Sequence, residues 1–184
     1  MHATMATDKN RDNELILVDG LDRQVGTATK WQAHTDGLLH RAFSVVLVRE
    51  GERGLELLLS QRALGKYHSG GLWANSCCSH PRAGERTIDA AYRRVREELG
   101  CEATGLREVA SFAYRAEFAN GLSEHEYDHV LVGDFAGTLA PDPQEVSDTR
   151  WVGVDELALA LAREPRQFCV WAPMVLSLAL QHLD

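Results

Sequence analysis

Two adjacent thiols and a histidine occur together in the segment NSCCSHP at residues 75–81. A thiol can donate or accept a proton, and nearby positive charge makes its thiolate easier to form. If the segment is extended, Cys77 and Cys78 point to opposite faces. Only one of them can then face a pocket, and the competing interpretation for either is a buried structural thiol.

The segment that follows is predicted to be a helix from Thr87, its predicted N-cap, to Gly100, which ends it in a left-handed conformation. Apolar residues recur at helical spacing and form one buried stripe: Ile88, Ala91, Tyr92, Val95 and Leu99. Guanidinium and carboxylate groups lie away from that stripe, on Arg93, Arg94, Glu97 and Glu98. The helix therefore brings groups that bind metals and anions close to the thiols.

A second set of residues has metal-ligating side chains. Glu124 and Glu126 are two residues apart in a predicted strand, so they share one face. The competing interpretation is a solvated strand edge, and a single histidine is more often a surface or core residue than a ligand. The predicted hairpin turn Asn120-Gly121 places Tyr114 close to Glu126 across the strand pair, where a hydroxyl can hydrogen-bond a carboxylate.

Several basic residues could bind an anion. Arg62 and Lys66 lie in the glycine-rich segment RALGKYHSGG at residues 62–71. In a chain with a net charge of −8, most basic residues are solvated or paired with acidic ones. Each of these cations taken alone is therefore more often structural than functional.

The remaining pattern predicts many strands and few helices. Predicted strands cover residues 14–19, 23–29, 42–48, 55–60, 106–118, 122–135 and 150–154, with a connector at 30–33 and a strand entering the segment after Trp73. Asp155 is predicted to cap a helix that stops at Pro165, and a last helix spans about 173–183. Strands and helices that do not strictly alternate indicate an α/β or α+β sandwich with a mixed sheet.

Composition limits the class of protein. At 184 residues and 45% hydrophobic content, the chain is predicted to form one domain over 13–184, preceded by a solvated tail at 1–12. The charge of −8 argues against nucleic-acid and anionic-membrane partners. With no apolar run long enough to span a bilayer and no secretory pattern at the N-terminus, we expect a cytoplasmic protein whose four cysteines are reduced thiols.

Residues 79–101 resemble a degenerate Nudix box. In that pattern a glycine is followed after five residues by Glu, and after seven more by R-E-U-x-E-E-x-G-U, where U is a bulky apolar residue. Glu85, Arg93, Glu97 and Glu98 match, Ser79 stands in place of the first glycine, and Arg94 replaces a helix glutamate. Since those glutamates hold Mg²⁺ on a diphosphate in Nudix hydrolases, Arg94 argues against ordinary hydrolysis.

The chain is more closely similar to the type I isopentenyl diphosphate isomerases. The segments that recur in that family's order and spacing are AHTDGLLHRAFS, RALGKYHSGGLWANS, NSCCSHP, RRVREELG, FAYRAEFANGLSEHEYDHV and RWV. Together they cover nearly the whole chain after the first dozen residues. The resemblance implies a Nudix fold with a mixed sheet between helices, and an enzyme that interconverts isopentenyl and dimethylallyl diphosphate in isoprenoid biosynthesis.

The resemblance also implies roles for residues. Cys78 and Glu126, assisted by Tyr114, become the catalytic groups. A divalent metal, Mn²⁺, Zn²⁺ or Mg²⁺, is expected on three imidazoles and two carboxylates: His34, His40, His80, Glu124 and Glu126. Glu98 and the main-chain carbonyl of Cys78 are expected to hold a Mg²⁺ that arrives with the substrate. The expected diphosphate ligands are Lys30, Arg62, Lys66 and Arg94, and Trp73 and Trp171 are candidates to face the hydrocarbon.

Two other functions remain open from the sequence. A Nudix hydrolase of nucleoside or other diphosphates would release phosphate or a mononucleotide, and Arg94 argues against it. A binding module without catalysis would retain metal without turnover, and the complete set of Cys, His and Glu argues against that. We expect a monomer or weak homodimer that acts on a small diphosphate.

Overall fold

A computed structural model of the protein describes residues 14–52 and 54–183; the predicted tail at 1–12 lies outside them. Within this part of the chain the strands are β1 Glu14–Val18, β2 Gln24–Thr29, β3 His40–Gly51, β4 Gly54–Arg62, β5 Trp73–Ala74, β6 Cys77–Ser79, β7 Glu102–Glu117, β8 Ser123–Ala136 and β9 Val146–Gly153. The α-helices are α1 Lys30–Asp36, α2 Thr87–Leu99, α3 Val154–Arg163 and α4 Ala172–Leu180, and a 3₁₀ turn covers Pro165–Gln167.

One mixed sheet contains all of these strands, and β3 is its centre. β3 pairs in parallel with β8 and antiparallel with β1, β4 and β6. β7 extends the sheet beyond β8, while β9 pairs with β4. The register places His40 opposite Glu126 and Ser44 opposite Cys78, so β6 and β8 flank β3 where the predicted site residues lie.

Helices cover both faces of the sheet, and strand alternation decides which core each residue joins. Phe43, Val45 and Leu47 of β3 are fully buried against α2. Val46 and Val48 point the other way and pack with residues of α3 and α4. These two cores make the molecule a three-layer α/β sandwich, which confirms the predicted fold class. None of the described helices has the length and apolarity needed to cross a bilayer.

Three local predictions were wrong. The predicted connector at 30–33 belongs to helix α1, which Thr29 caps by accepting a hydrogen bond from the Gln32 N–H, and which Gly37 ends at φ 65°. Helix α2 begins after Arg86 without a side-chain cap, so Thr87 is its first residue and not its N-cap. Asp155 likewise lies inside the first turn of α3, whose N-cap is Gly153. The end of α2 at Gly100 is confirmed, with φ 63°.

Candidate functional site

A single pocket brings together most of the predicted site residues. Its walls come from β4, β6, β7, β8, helices α1 and α2, the loop at 62–71 and the start of α4. The predicted residues that line it are Lys30, Arg62, Lys66, Cys78, His80, Arg94, Glu98, Tyr114, Glu124 and Glu126. Trp171, a candidate to face the hydrocarbon, also lines the pocket, and so do Tyr67, Asn75 and Glu145, which the sequence did not assign.

Cys78 faces the pocket while Cys77 is buried in the core beneath helix α2. The Cys78 thiol donates to Asn75 Oδ1 over 3.1 Å and accepts a hydrogen bond from Trp171 Nε1 over 3.2 Å. Burial, and then the nearby Asp128 carboxyl, raise the pKa of Cys78 far above that of a free thiol. In this arrangement the thiol holds its proton and both of its neighbours fix its direction.

Glu126 and Tyr114 form a pair across the hairpin, as the spacing predicts. The register sets the two residues opposite each other, and the Tyr114 hydroxyl donates to Glu126 Oε2 over 2.7 Å. Burial alone would raise the pKa of Glu126, but the contacts with His40 and His80 outweigh it and hold that pKa well below its usual range. Glu126 is therefore a carboxylate supported by a phenol.

Two histidines are oriented by backbone carbonyls. His34 Nδ1 lies 2.6 Å from Lys30 O, and His40 Nδ1 lies 2.8 Å from Leu38 O. A carbonyl only accepts, so in each neutral ring Nδ1 carries the proton and Nε2 presents a lone pair. Those Nε2 atoms face carboxylates: His34 Nε2 is 3.2 Å from Glu124 Oε1, and His40 Nε2 is 3.6 Å from Glu126 Oε1.

This arrangement fits a metal ion. His40 Nε2 and Glu124 Oε2 lie 3.9 Å apart, and both are buried without a hydrogen-bond partner among the described residues. Two groups have ligand atoms close enough to share an ion: His34, His40 and Glu124, and His40, His80 and Glu126. Burial, opposed by Glu126, lowers the pKa of His80 to about 4, which keeps this imidazole neutral. Imidazoles in their neutral form and carboxylates together are a ligand set for Mn²⁺, Zn²⁺ or Mg²⁺.

Two cations on the basic side of the pocket, Arg94 and Lys66, are already paired with carboxylates. Arg94 Nη2 lies 2.6 Å from Glu98 Oε1 and 3.6 Å from Glu145 Oε1. Lys66 forms an ion pair with Glu145. Lys30 lies over the Tyr67 ring at 5.1 Å, and its burial lowers its pKa. A diphosphate that binds here therefore meets both cations and the acidic residues that neutralise them.

Trp73 is the predicted site residue that the structure places elsewhere. Its ring lies 4.3 Å beneath the Arg150 guanidinium, and it is not among the pocket-lining residues, so the prediction of a Trp73 substrate contact is corrected. Trp171 occupies the wall beside Cys78 instead. Glu145 and His68 were not predicted from the sequence. Glu145 lies five residues before the predicted strand at 150–154, and a histidine in a basic loop is a weak signal, although His68 is two residues from Lys66.

Comparisons with known proteins agree with this geometry. A NUDIX domain family model matches residues 38–172. A Photobacterium profundum protein named isopentenyl-diphosphate Delta-isomerase is 49% identical over 177 residues, which cover 94% of this chain and 97% of that protein. A Burkholderia multivorans protein of the same name is 52% identical over 162 residues, covering 87% of this chain and 89% of that protein.

Solved structures support the fold alone. A Deinococcus radiodurans protein superposes with a TM-score of 0.66 at 20% identity, covering 88% of this chain and 96% of that one. A MutT NUDIX hydrolase from Burkholderia pseudomallei superposes with a TM-score of 0.60 at 20% identity, covering 76% of this chain and 96% of that one.

Proposed function

We propose how this protein works from the premise that it belongs to the isopentenyl-diphosphate Delta-isomerase family and has a NUDIX domain. The enzyme interconverts isopentenyl diphosphate and dimethylallyl diphosphate, moving a carbon–carbon double bond by one position. The observation that carries our assignment of residues is that Cys78 and the pair Glu126–Tyr114 enter one pocket from strands on opposite sides of β3.

The reaction needs two proton-handling groups. A proton added to the terminal alkene carbon gives a tertiary carbocation, and loss of a proton from the neighbouring methylene forms the new double bond. Cys78 Sγ–H is one group, and the Glu126 carboxylate with the Tyr114 hydroxyl is the other. Since the reaction is reversible, the group that donates in one direction accepts in the other.

The carbocation must be protected from water and stabilised. Trp171 lies in the pocket wall, and its indole N–H donates to the Cys78 sulfur. The indole is therefore beside the proposed position of the reacting carbons, between Cys78 and Glu126. An aromatic face attracts a cation, and apolar walls exclude the water that would trap it. We assign this role to Trp171 in place of Trp73.

A divalent metal would be held by His34, His40, His80, Glu124 and Glu126, and NUDIX enzymes use such metals. When bound, it supplies positive charge beside Glu126 and so makes that carboxyl a stronger acid. The residues themselves orient Glu126: His80 Nε2 lies 2.9 Å from its Oε1, and Tyr114 holds its Oε2. Metal analysis of the purified protein distinguishes Mn²⁺, Zn²⁺ and Mg²⁺ at this site.

The diphosphate would bind to Lys30, Arg62, Lys66 and Arg94, which line the same pocket. Arg offers paired donors to phosphate oxygens, while Lys acts as a point charge. We propose that Glu98 and the Cys78 carbonyl hold a Mg²⁺ ion that accompanies the diphosphate. Anchoring the diphosphate holds the short hydrocarbon between Cys78 and Glu126.

The proposal also covers the domain organisation, location and oligomeric state of the enzyme. We propose that residues 13–184 act as one isomerase domain in the cytoplasm, as a monomer or weak homodimer. Its partner is a small diphosphate, with no nucleic acid and no membrane involved.

The adjacent thiols provide a matched test. Cys78→Ala is expected to abolish deuterium incorporation into isopentenyl diphosphate in heavy water, followed by NMR, whereas Cys77→Ala keeps most of it because its side chain lies in the core. A phosphate-release assay on the parent enzyme accompanies this measurement. Equal loss in two folded variants would contradict the role of Cys78, and substantial phosphate release would contradict the reaction.

A further inference from the structure

His68 is a buried histidine that the ligand set above does not use. It comes from the loop between β4 and β5, and its Nε2 lies 2.6 Å from Glu124 Oε1. His34 Nε2 is farther from the same oxygen, at 3.2 Å. The second oxygen, Glu124 Oε2, is the one that lacks a hydrogen-bond partner within the described residues. The two oxygens of Glu124 are therefore in different environments.

The hydrogen bond between His68 and Glu124 has a defined direction. An ionised carboxylate only accepts, so His68 Nε2 carries the proton and donates it. The Ser69 hydroxyl lies 3.1 Å from His68 Nδ1 and can donate to it, which favours the same tautomer. His68 thus offers Glu124 Oε1 a hydrogen-bond donor.

The position of the His68 ring is fixed by packing. It stacks on Phe118 with ring centroids 4.3 Å apart and planes 9° apart, and Tyr67 packs edge-on at 4.5 Å. The conformation of the loop backbone is also restricted. Ser69 has a φ of 53°, and a Cβ on Gly70 would lie only 2.7 Å from Leu64 O. A ring held this closely can fix the orientation of the carboxylate that it contacts.

We propose that His68 is a positioning residue of the metal site, which occupies Glu124 Oε1 and thereby keeps Glu124 Oε2 directed at the ion. The proposal rests on the metal site proposed above and adds a residue to it. We do not count His68 as a ligand, because it belongs to neither group whose ligand atoms lie close enough to share an ion.

The test is the affinity of the metal-free protein for Mn²⁺, measured by competition with a chromogenic chelator. Partners that orient a ligating group typically change metal affinity by about 10–100-fold when removed. We expect that loss in His68→Asn, whose amide nitrogen replaces Nδ1 and does not reach Glu124, and in His68→Phe, which keeps the ring but has no donor. His68→Gln places an amide nitrogen near the position of Nε2 and is expected to restore affinity.

Two controls make the outcomes separable. His129→Gln alters a similarly buried histidine that pairs with Asp22 and Glu108, and it should leave Mn²⁺ affinity unchanged. Glu124→Gln removes a proposed ligand and should lose Mn²⁺. If His68→Asn and His68→Phe bind Mn²⁺ like the parent while Glu124→Gln does not, the role of His68 is wrong. Equal losses in His68→Gln and His68→Asn would also overturn it. Parent-like binding by Glu124→Gln would instead overturn the metal site.

Discussion

The two ends of the pocket differ in how their charges are balanced. At one end, imidazole lone pairs and carboxylates face each other, and His40 Nε2 and Glu124 Oε2 have no hydrogen-bond partner among the described residues. At the other end, Arg94 and Lys66 already form ion pairs with Glu98 and Glu145. The first end needs a cation to complete it. At the second end Arg94 and Lys66 are paired before any substrate arrives, while Arg62 Nε is buried without a hydrogen-bond partner in the described part of the chain.

The difference indicates how each end acquires its ligand. Burying a hydrogen-bond acceptor without a donor costs free energy. An ion that binds between two such acceptors offsets this cost. Ion pairs at the basic end oppose a bare diphosphate, because phosphate oxygens must compete with carboxylates for the same donors. A diphosphate that carries Mg²⁺ avoids the competition, since the ion can be shared with the carboxylates. The first end therefore favours a resident ion, and the second favours a metal–diphosphate complex.

Removing a ligand at the first end should have the largest effect. His80→Ala and Glu124→Ala are each expected to lower metal content and isomerisation together, by more than about 100-fold in activity, because each removes a proposed direct ligand. Metal analysis of the purified variants beside steady-state kinetics checks this. Full metal occupancy in both variants would show that the two residues are not ligands.

At the basic end, Arg94 should be the most sensitive cation. Arg94→Ala loses charge-assisted contacts worth about 1.5–3 kcal/mol, which corresponds to roughly 10–150-fold in kcat/KM. Arg94→Glu should be worse because it sets an anion against the diphosphate. Arg96→Ala is the control, since Arg96 is exposed and pairs with Glu102 outside the pocket. Parent-like kinetics in Arg94→Glu would exclude Arg94 from substrate binding.

A smaller and opposite effect should follow when a neutralising carboxylate is removed. Glu145→Gln frees Lys66 and Arg94 from their shared partner, so metal-free protein should bind inorganic pyrophosphate more tightly. A pair of this exposure contributes up to about 1 kcal/mol, or roughly fivefold in Kd. Calorimetric titration measures the change, and weaker binding would mean that Glu145 does not compete with the anion.

The smallest effect is expected from an ion pair outside both ends. Glu85 accepts hydrogen bonds from Arg93 Nε and Nη2, each over 2.8 Å. Burial raises the pKa of Glu85, but Arg93 outweighs it and the net pKa is lowered. A lowered folded-state pKa stabilises the fold above the unfolded value of about 4.3, and that stability is lost as pH falls below it. Urea unfolding should show Glu85→Gln about 0.5 kcal/mol less stable than the parent at pH 7, with the difference shrinking as pH falls below about 4.3. A difference that stays constant as pH falls would contradict this account.

Local periodicity was enough to predict part of the site. Glu124 and Glu126 share a face because strand residues alternate, and counting back from Asn120-Gly121 placed Tyr114 opposite Glu126, which the register confirms. The same alternation separated Cys77 from Cys78 correctly. Each of these relations depends on neighbours in one strand or one hairpin.

Relations between distant segments could not be predicted in this way. Helix α1 has 7 residues, too few for helical periodicity to show, so the sequence predicted only a connector at 30–33. His68 reaches Glu124 because the loop at 62–71 lies against the start of β8, and no periodic pattern specifies the path of a loop. Glu145 enters the site through contacts with Lys66 and Arg94, which come from two other elements.

The parallel pairing of β3 with β8 has a consequence for how the protein matures. His40 and Glu126 meet only when strands far apart in sequence have paired, and β6 must also be in place to present His80. Long-range pairing closes large loops and is slow compared with local structure. The growing chain therefore has no ion-binding site until β8 has left the ribosome and joined the sheet. Acquisition of the metal should then mark the completion of folding, and Mn²⁺ uptake during refolding should lag behind helix formation.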